Sequence, residues 1–253
     1  MRRTARRVVW TLVVLATLAV SAATAPFAFR RIDTFRVHRV EVAGARFLSP
    51  AELVTTTGIT DSSNVFDDAA AWSAPLERHA LVDGVRVERR PPHTLRFHII
   101  EAEPVALVAL PELRPVDAGG RVLPIETAGH DLDLPVLTRR AKLGEDSVVD
   151  ETSRRLIDAL VTIRALDAVM AARISEIAPA GGGGIRILLD RGAGAELLLP
   201  DVPGARALLE VRLALDHLQS AEGANAPAAG KSIRIDARYD DELFVTLPPR
   251  GAS

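Results

Sequence analysis

"VHRVEVAGARFLSPAELVTTTGI" (residues 37–59) and "NVFDDAAAWSAPLERHALVDGVRVERRPPHTLRFHIIEAEPVAL" (residues 64–107) decide how this chain folds. Apolar Val37, Val40 and Val42 alternate in part with Arg39 and Glu41, which predicts a first strand at about 37–43 with one wet face. Ser49-Pro50-Ala51-Glu52 then supplies a capping hydroxyl, a proline at the first helical position and a glutamate three residues after the cap. Gly58 sits where a helix commonly ends in a left-handed residue. Asp67 and Asp68 open a second helix to about His79, and Pro75, which has no N–H to donate, predicts a kink or restart near Ser73. Val85 and Val87 alternate with Arg86 and Glu88, Pro91-Pro92 breaks the run, and Leu95, Phe97 and Ile99 alternate with Arg96 and His98. Two antiparallel strands around a proline turn follow, giving the order β-α-α-β-β and roughly seventy residues that close as a domain.

In this order the segment resembles the POTRA domain of the FtsQ/DivIB family of bacterial cell-division proteins. The residues that carry the resemblance are Gly44, Gly58, Asn64-Val65-Phe66, Arg89-Arg90, Pro92, Thr94-Leu95 and Glu103-Pro104. POTRA domains also occur in outer-membrane assembly and secretion proteins.

Working outward, Val8 to Phe29 contain no charged residue, and as a helix these 22 residues would span about 33 Å, enough for a hydrocarbon core of roughly 30 Å. Arg2, Arg3, Arg6 and Arg7 precede the run and Arg30 and Arg31 follow it, which favours a cytoplasmic amino terminus. Ala23-Thr24-Ala25 has the small-x-small form of a signal-peptide cleavage site. Against cleavage stand the length of the run and Pro26 just after the cut, so the expectation is a retained anchor. With four of the 31 basic residues in the first seven positions, the remaining 27 face 33 acids. A mildly acidic body argues against general nucleic-acid binding, which needs a basic surface. The absence of cysteine excludes disulfides and thiolate metal sites.

Beyond Glu103-Pro104 the pattern changes. Val105 to Leu110 is a short apolar run stopped by Pro111, and Val116 to Leu123 reads as a hairpin with Gly119-Gly120 supplying positive φ. Leu134 to Leu137 is a further extended piece. Leu156, Ile157, Leu160, Ile163 and Leu166 predict an amphipathic helix within about 148–170. Strands follow at 174–178, 185–189 and 195–199, separated by Gly181 to Gly184 and by Arg191-Gly-Ala-Gly194. Pro203 and Gly204 introduce a helix to about Leu218, and residues 232–238 and 242–247 read as two closing strands. The motifs "VDAGGRVLP", "LPVLT", "ISEI" and "IDARYDDELFVTLP" occur in the order and approximate spacing of the FtsQ β domain, so the resemblance covers about 30–250.

The chemistry of sites is absent from the pattern. The six histidines, His38, His79, His93, His98, His130 and His217, lack metal-ligand spacing; there is no Gly-x-Ser-x-Gly, and Gly230-Lys231-Ser232 is not a phosphate loop, because Asn225 stands where its first glycine would be. Asp240-Asp241-Glu242 reads as a solvated turn, and no cofactor is expected. What remains is binding through strand edges, which offer unpaired N–H and C=O groups to another chain.

The expected architecture is therefore α+β. A cytoplasmic tail (1–7) leads to a single N-terminal transmembrane helix (8–29), a POTRA domain (30–103), a mainly antiparallel β domain with flanking helices (104–248) and a short tail (249–253). The resemblance implies a non-enzymatic divisome scaffold in the inner membrane with a periplasmic body. It also implies that FtsB and FtsL are recruited, with FtsB adding a strand to the last strands of the β domain, that the POTRA domain touches other division components, and that the scaffold links early and late division proteins. That role falls on Arg238, Tyr239, Asp241, Leu243, Phe244, Val245 and Leu247; Leu247 stands where the best-known relatives carry a tryptophan. Tyr239, the only tyrosine, reads either as an interface anchor or as an aromatic cap over the sheet, and Arg238 either as a partner contact or as paired with Asp236 or Glu242. The rival readings are a POTRA-bearing periplasmic chaperone or secretion module and, in a different class, a periplasmic hydrolase, which would need a convergent pocket of titratable groups.

Overall fold

The computed structural model describes residues 10–21, 32–126, 129–130, 132–144, 147–190, 194–221, 233–239 and 242–247. They divide into two compact units, Met1–Ala102 and Glu103–Ser253.

Residues 10–21 form a helix, α1, whose Trp10, Leu12, Leu15, Leu18 and Val20 are exposed. The rest of the expected span over 8–29 lies outside the described residues. Among those described, no helix is long and apolar enough to cross a membrane.

The rest of the first unit runs β1 (Arg39–Ala43), α2 (Pro50–Thr57), α3 (Ala69–Glu77), β2 (Val82–Arg90) and β3 (Thr94–Glu101), the β-α-α-β-β order read from the sequence. β3 is the central strand, parallel to β1 and antiparallel to β2. Local signals set the helix ends: Ser49 Oγ accepts the Glu52 N–H at 3.1 Å, and Gly58 closes α2 at φ +67°. The segment does not restart at Ser73. α3 runs unbroken across Pro75, because Trp72 and Leu76 are buried against the sheet and hold the helix in place despite one missing N–H. They pack with Leu53, Leu95, Phe97 and Ile99 into one core, each such side chain contributing about 1.5–3 kcal/mol on burial. Two polar clamps close the unit. Arg89 donates to the carbonyls of Val65 and Asp67, both at 2.9 Å. The Glu101 carboxylate, at the end of β3, accepts the backbone N–H groups of Arg46, Phe47 and Leu48 at 2.7–3.0 Å, which fixes the loop between β1 and α2.

The second unit contains β4 (Ala106–Leu110), β5 (Glu112–Val116), β6 (Val136–Arg140), α4 (Glu151–Leu166), α5 (Ala168–Ala171), β7 (Ile174–Pro179), β8 (Ile185–Leu189), β9 (Ala195–Leu199), α6 (Ala205–Ala221), β10 (Ile233–Asp236) and β11 (Phe244–Thr246). All eight strands join one sheet in the order β11-β10-β9-β8-β7-β6-β4-β5. The sheet is mixed: β4–β6, β6–β7 and β9–β10 are parallel and the other four pairs antiparallel. The parallel pairs on either side of a helix arise because α4–α5 carries β6 to β7 and α6 carries β9 to β10. Both crossovers move the same way along the sheet between strands of one direction, so right-handed connection puts both helices on the same face. Leu156, Ile157, Ile163, Leu208, Val211 and Leu215 from those helices share one core with Ile177, Ile187, Leu197 and Ile235.

Three details differ from the sequence reading. Pro111 ends β4 as read, but the chain turns back at once into β5, a strand the pattern did not mark, with Leu110 opposite Glu112. In the turn after Val116 only Gly120 has positive φ, and the Asp117 carboxylate holds the turn through the N–H groups of Gly119 and Arg121. The long helix breaks at Asp167, which leaves helical geometry, caps α5 through the Met170 N–H and pairs with Arg212 of α6.

Two outcomes follow from half-buried carboxylate contacts, one in each unit. Glu101→Ala leaves three backbone N–H groups without their acceptor and is expected to destabilise the protein by about 1–3 kcal/mol in urea unfolding. Asp150 caps α4; burial alone would raise its pKa, but N–H bonds from Lys142 and Ser153 and the Arg139 guanidinium bring it down to about 2. A depressed folded pKa gives stability that is present above the unfolded carboxyl value and lost as pH falls toward 2. Asp150→Asn should therefore show a smaller drop in urea midpoint between pH 4 and pH 2 than the unsubstituted chain.

Candidate partner-binding edge

A strand edge is defined by which backbone groups point away from the sheet. In the parallel pair β9–β10, Asp236 lies opposite Leu198 and the Ala237 N–H donates to the Leu198 carbonyl at 2.8 Å. The odd-numbered residues of β10 thus direct their polar groups to β9, and Arg234 and Asp236 direct theirs to β11. Their partners across the antiparallel pair, Thr246 and Phe244, bond back to β10. Val245, opposite Ile235, consequently points its N–H and C=O away from the sheet, and alternation carries the same orientation to Leu243 and Leu247. No strand among the described residues pairs with that outer side.

The two ends of the sheet are not equivalent. At β5, Pro115 has no N–H, its carbonyl accepts the Leu123 N–H at 2.8 Å, and Val116 bridges to Val122. Glu112 and Arg114 add charge there. β11 carries none of these protections: Phe244, Val245 and Thr246 are all exposed, as is Leu247.

Side chains sort by face. Val245 lies on the helix-bearing face with buried Ile235, and Leu243 packs partly onto the core there. Phe244 lies on the opposite face, where its ring meets Tyr239 edge to face with centroids 5.6 Å apart. Tyr239 is 55% exposed, so it is not a closed cap over the sheet. Asp241 lies outside the described residues.

Arg238 faces inward. Its guanidinium donates to both Asp236 oxygens at 2.9 and 2.6 Å and, through Nη1, to the carbonyls of Gly181 and Gly183 at 2.9 and 3.1 Å. The hydrogen bond from Arg238 holds the Asp236 carboxyl below its ordinary value, against the opposing effect of burial. The glycine hairpin is shaped for this contact. Gly182, Gly183 and Gly184 all have positive φ, and a Cβ on Gly184 would collide with the Leu199 carbonyl. A shallow depression of about 270 Å³ bounded by this hairpin, Pro200, Asp201, Arg238 and Tyr239 lies at the same end of the sheet. The family resemblance pointed to this strand, but nothing in the sequence pointed to the hairpin clamp, since Gly181 and Arg238 are 57 positions apart.

The histidines form no comparable cluster. His38 and His93 meet edge to face at 5.9 Å and His98 bonds Glu88 at 2.8 Å. Among the described residues no three acidic or histidine side chains converge on a metal position.

Residues 35–101 match the POTRA domain of FtsQ type, and residues 106–238 match the C-terminal domain of the cell division protein FtsQ/DivIB. The second match ends at Arg238, so Tyr239 and β11 stand on their geometry. The chain is 30% identical over 161 residues to the cell division protein FtsQ of Syntrophotalea carbinolica, covering 60% of this chain and 57% of that one. It is 32% identical over 141 residues to FtsQ of Anaeromyxobacter sp. strain K, 54% of this chain and 48% of the relative. It is 32% identical over 164 residues to FtsQ of Rhodothermus marinus, 60% and 56% respectively. The chain thus spans about half the length of these curated relatives. With POTRA and C-terminal domains matched in sequence order, the chain belongs to the FtsQ/DivIB family of cell-division proteins.

Proposed function

We propose that this chain is a single-span inner-membrane scaffold of the divisome, with its amino terminus in the cytoplasm and its body in the periplasm. It recruits FtsB, and with it FtsL, by adding an FtsB strand to β11. The uncharged run over 8–29 supports the anchor, and the arginines before it support the orientation. The observation that carries the partner reading is the outward-pointing backbone of Val245 on an unpaired, unprotected edge, where main-chain bonds supply affinity and alternate side chains supply specificity. The exposed Tyr239–Phe244 pair forms the aromatic contact on one face, and Arg238 positions it from within by tying Asp236 to the glycine hairpin.

The test is affinity for purified FtsB–FtsL by titration calorimetry. Tyr239→Ala is expected to weaken binding by more than about 1 kcal/mol, the scale of an aromatic anchor. Val245→Pro removes an outward N–H while leaving the bonds of Phe244 and Thr246 to β10, so binding should be lost with the fold retained. Phe244→Pro breaks the internal ladder instead and should lower the unfolding midpoint. Undiminished binding by Val245→Pro would remove the β11 edge from the interface.

A further inference from the structure

A bare strand edge is normally blunted by charge, proline or a bulge. β2, an edge of the first unit, carries Arg86, Glu88, Arg89 and Arg90 and an irregularity at Gly84. β5 has its own blocks. Leu243-Phe244-Val245-Thr246-Leu247 has neither charge nor proline.

That pentapeptide is also close to symmetric about its centre. Leucines stand at both ends and a valine in the middle on the helix-bearing face, with Phe244 and Thr246 on the other. An identical strand laid antiparallel with Val245 opposite Val245 brings each Leu243 opposite a Leu247. Because these residues direct their polar groups outward, all three pairs are of the type that exchanges both N–H···O bonds. The two-fold axis relating the copies is perpendicular to the sheet, so both helix layers fall on one side and the six Leu and Val side chains form a single apolar row. α6 connects β9 to β10, so two such helices lie about 19 Å apart across four strands spaced ~4.8 Å, beyond the 8–10 Å of packed helices and free of collision.

We propose that two copies of this chain pair through β11 in this Val245-centred arrangement when no partner occupies the edge, so that self-pairing and recruitment exclude each other. The competitive half rests on the reading in the preceding section; the pairing itself does not. A ladder this short gives a weak, readily exchanged dimer, which suits a reversible block.

The chain has no cysteine, so single substitutions report proximity. In the full chain in detergent micelles, Val245→Cys is expected to form a disulfide-linked dimer on mild oxidation, about tenfold more than Val169→Cys, since only apposed residues meet the required Cα separation. Val169 is a suitable control because it is 72% exposed on α5, away from the edge. Adding FtsB–FtsL should suppress the Val245→Cys crosslink. A synthetic peptide of residues 243–247 should do the same, and the peptide N-methylated at its central valine should not. Equal yields at 245 and 169, or none at 245, overturn the dimer even where FtsB–FtsL binds. A crosslink that FtsB–FtsL leaves undiminished while binding elsewhere overturns the competition and the preceding reading together. A crosslink undiminished because FtsB–FtsL does not bind at all overturns that reading and its competitive half, and leaves the dimer standing.

Discussion

Backbone hydrogen bonding has to stop somewhere, and in the second unit the place where it stops governs everything else. A sheet that closes into a barrel has no such problem; one of eight strands in open order has two margins, each with a row of amide groups that no neighbouring strand of the sheet pairs. At one margin the chain folds back, so that Leu123 meets the Pro115 carbonyl. At the other, no described segment does so. The resulting asymmetry is a property of main-chain direction, before any side chain is considered.

How the margin is held follows from shared use of Asp236. Its backbone pairs with Phe244 and so fixes the register of β11, while its carboxylate engages Arg238, whose guanidinium reaches the carbonyls of the β7–β8 hairpin. The edge strand is thereby coupled to the sheet interior through one residue. Side-chain packing contributes little there, since β11 has no buried residue, and a three-residue strand without that polar tie would be marginal. The positive-φ glycines belong to the same device: they let carbonyls turn toward the guanidinium that a hairpin of ordinary residues would direct elsewhere.

Sequence patterns disclosed what is local. Ser49 with Glu52, Gly58, and the alternation in β8 and β9 are signals contained within a few residues, and the structure places those elements where the pattern did. Long-range polar contacts left no such trace. Glu101 bonds residues 53–55 positions earlier, and nothing in "HIIEAEP" marks that carboxylate as an acceptor for a distant loop. The two prolines act differently: Pro111 ends β4 as the pattern indicated, whereas α3 continues across Pro75 without a restart, with Trp72 and Leu76 buried on either side of it. The pairing of Arg238 with Asp236 was among the readings the sequence offered, whereas its reach to the Gly181 and Gly183 carbonyls and the inward lean of Leu243 were not.

The distinction that matters most for function, which of two neighbouring residues shows its amide to a partner, lies wholly outside the reach of pattern. "LFVTL" reads identically whether Phe244 or Val245 faces outward, and a one-residue slip exchanges every side chain between faces. Orientation is inherited strand by strand. The α6 crossover makes β10 parallel to β9, the Ala237–Leu198 bond fixes which β10 residues face β9, and the antiparallel return passes the complementary set to β11. Which residues the edge displays is therefore determined by a crossover that ends one strand before it: a crossover that delivered β10 one residue out of step would present the aromatic face where the aliphatic one now stands.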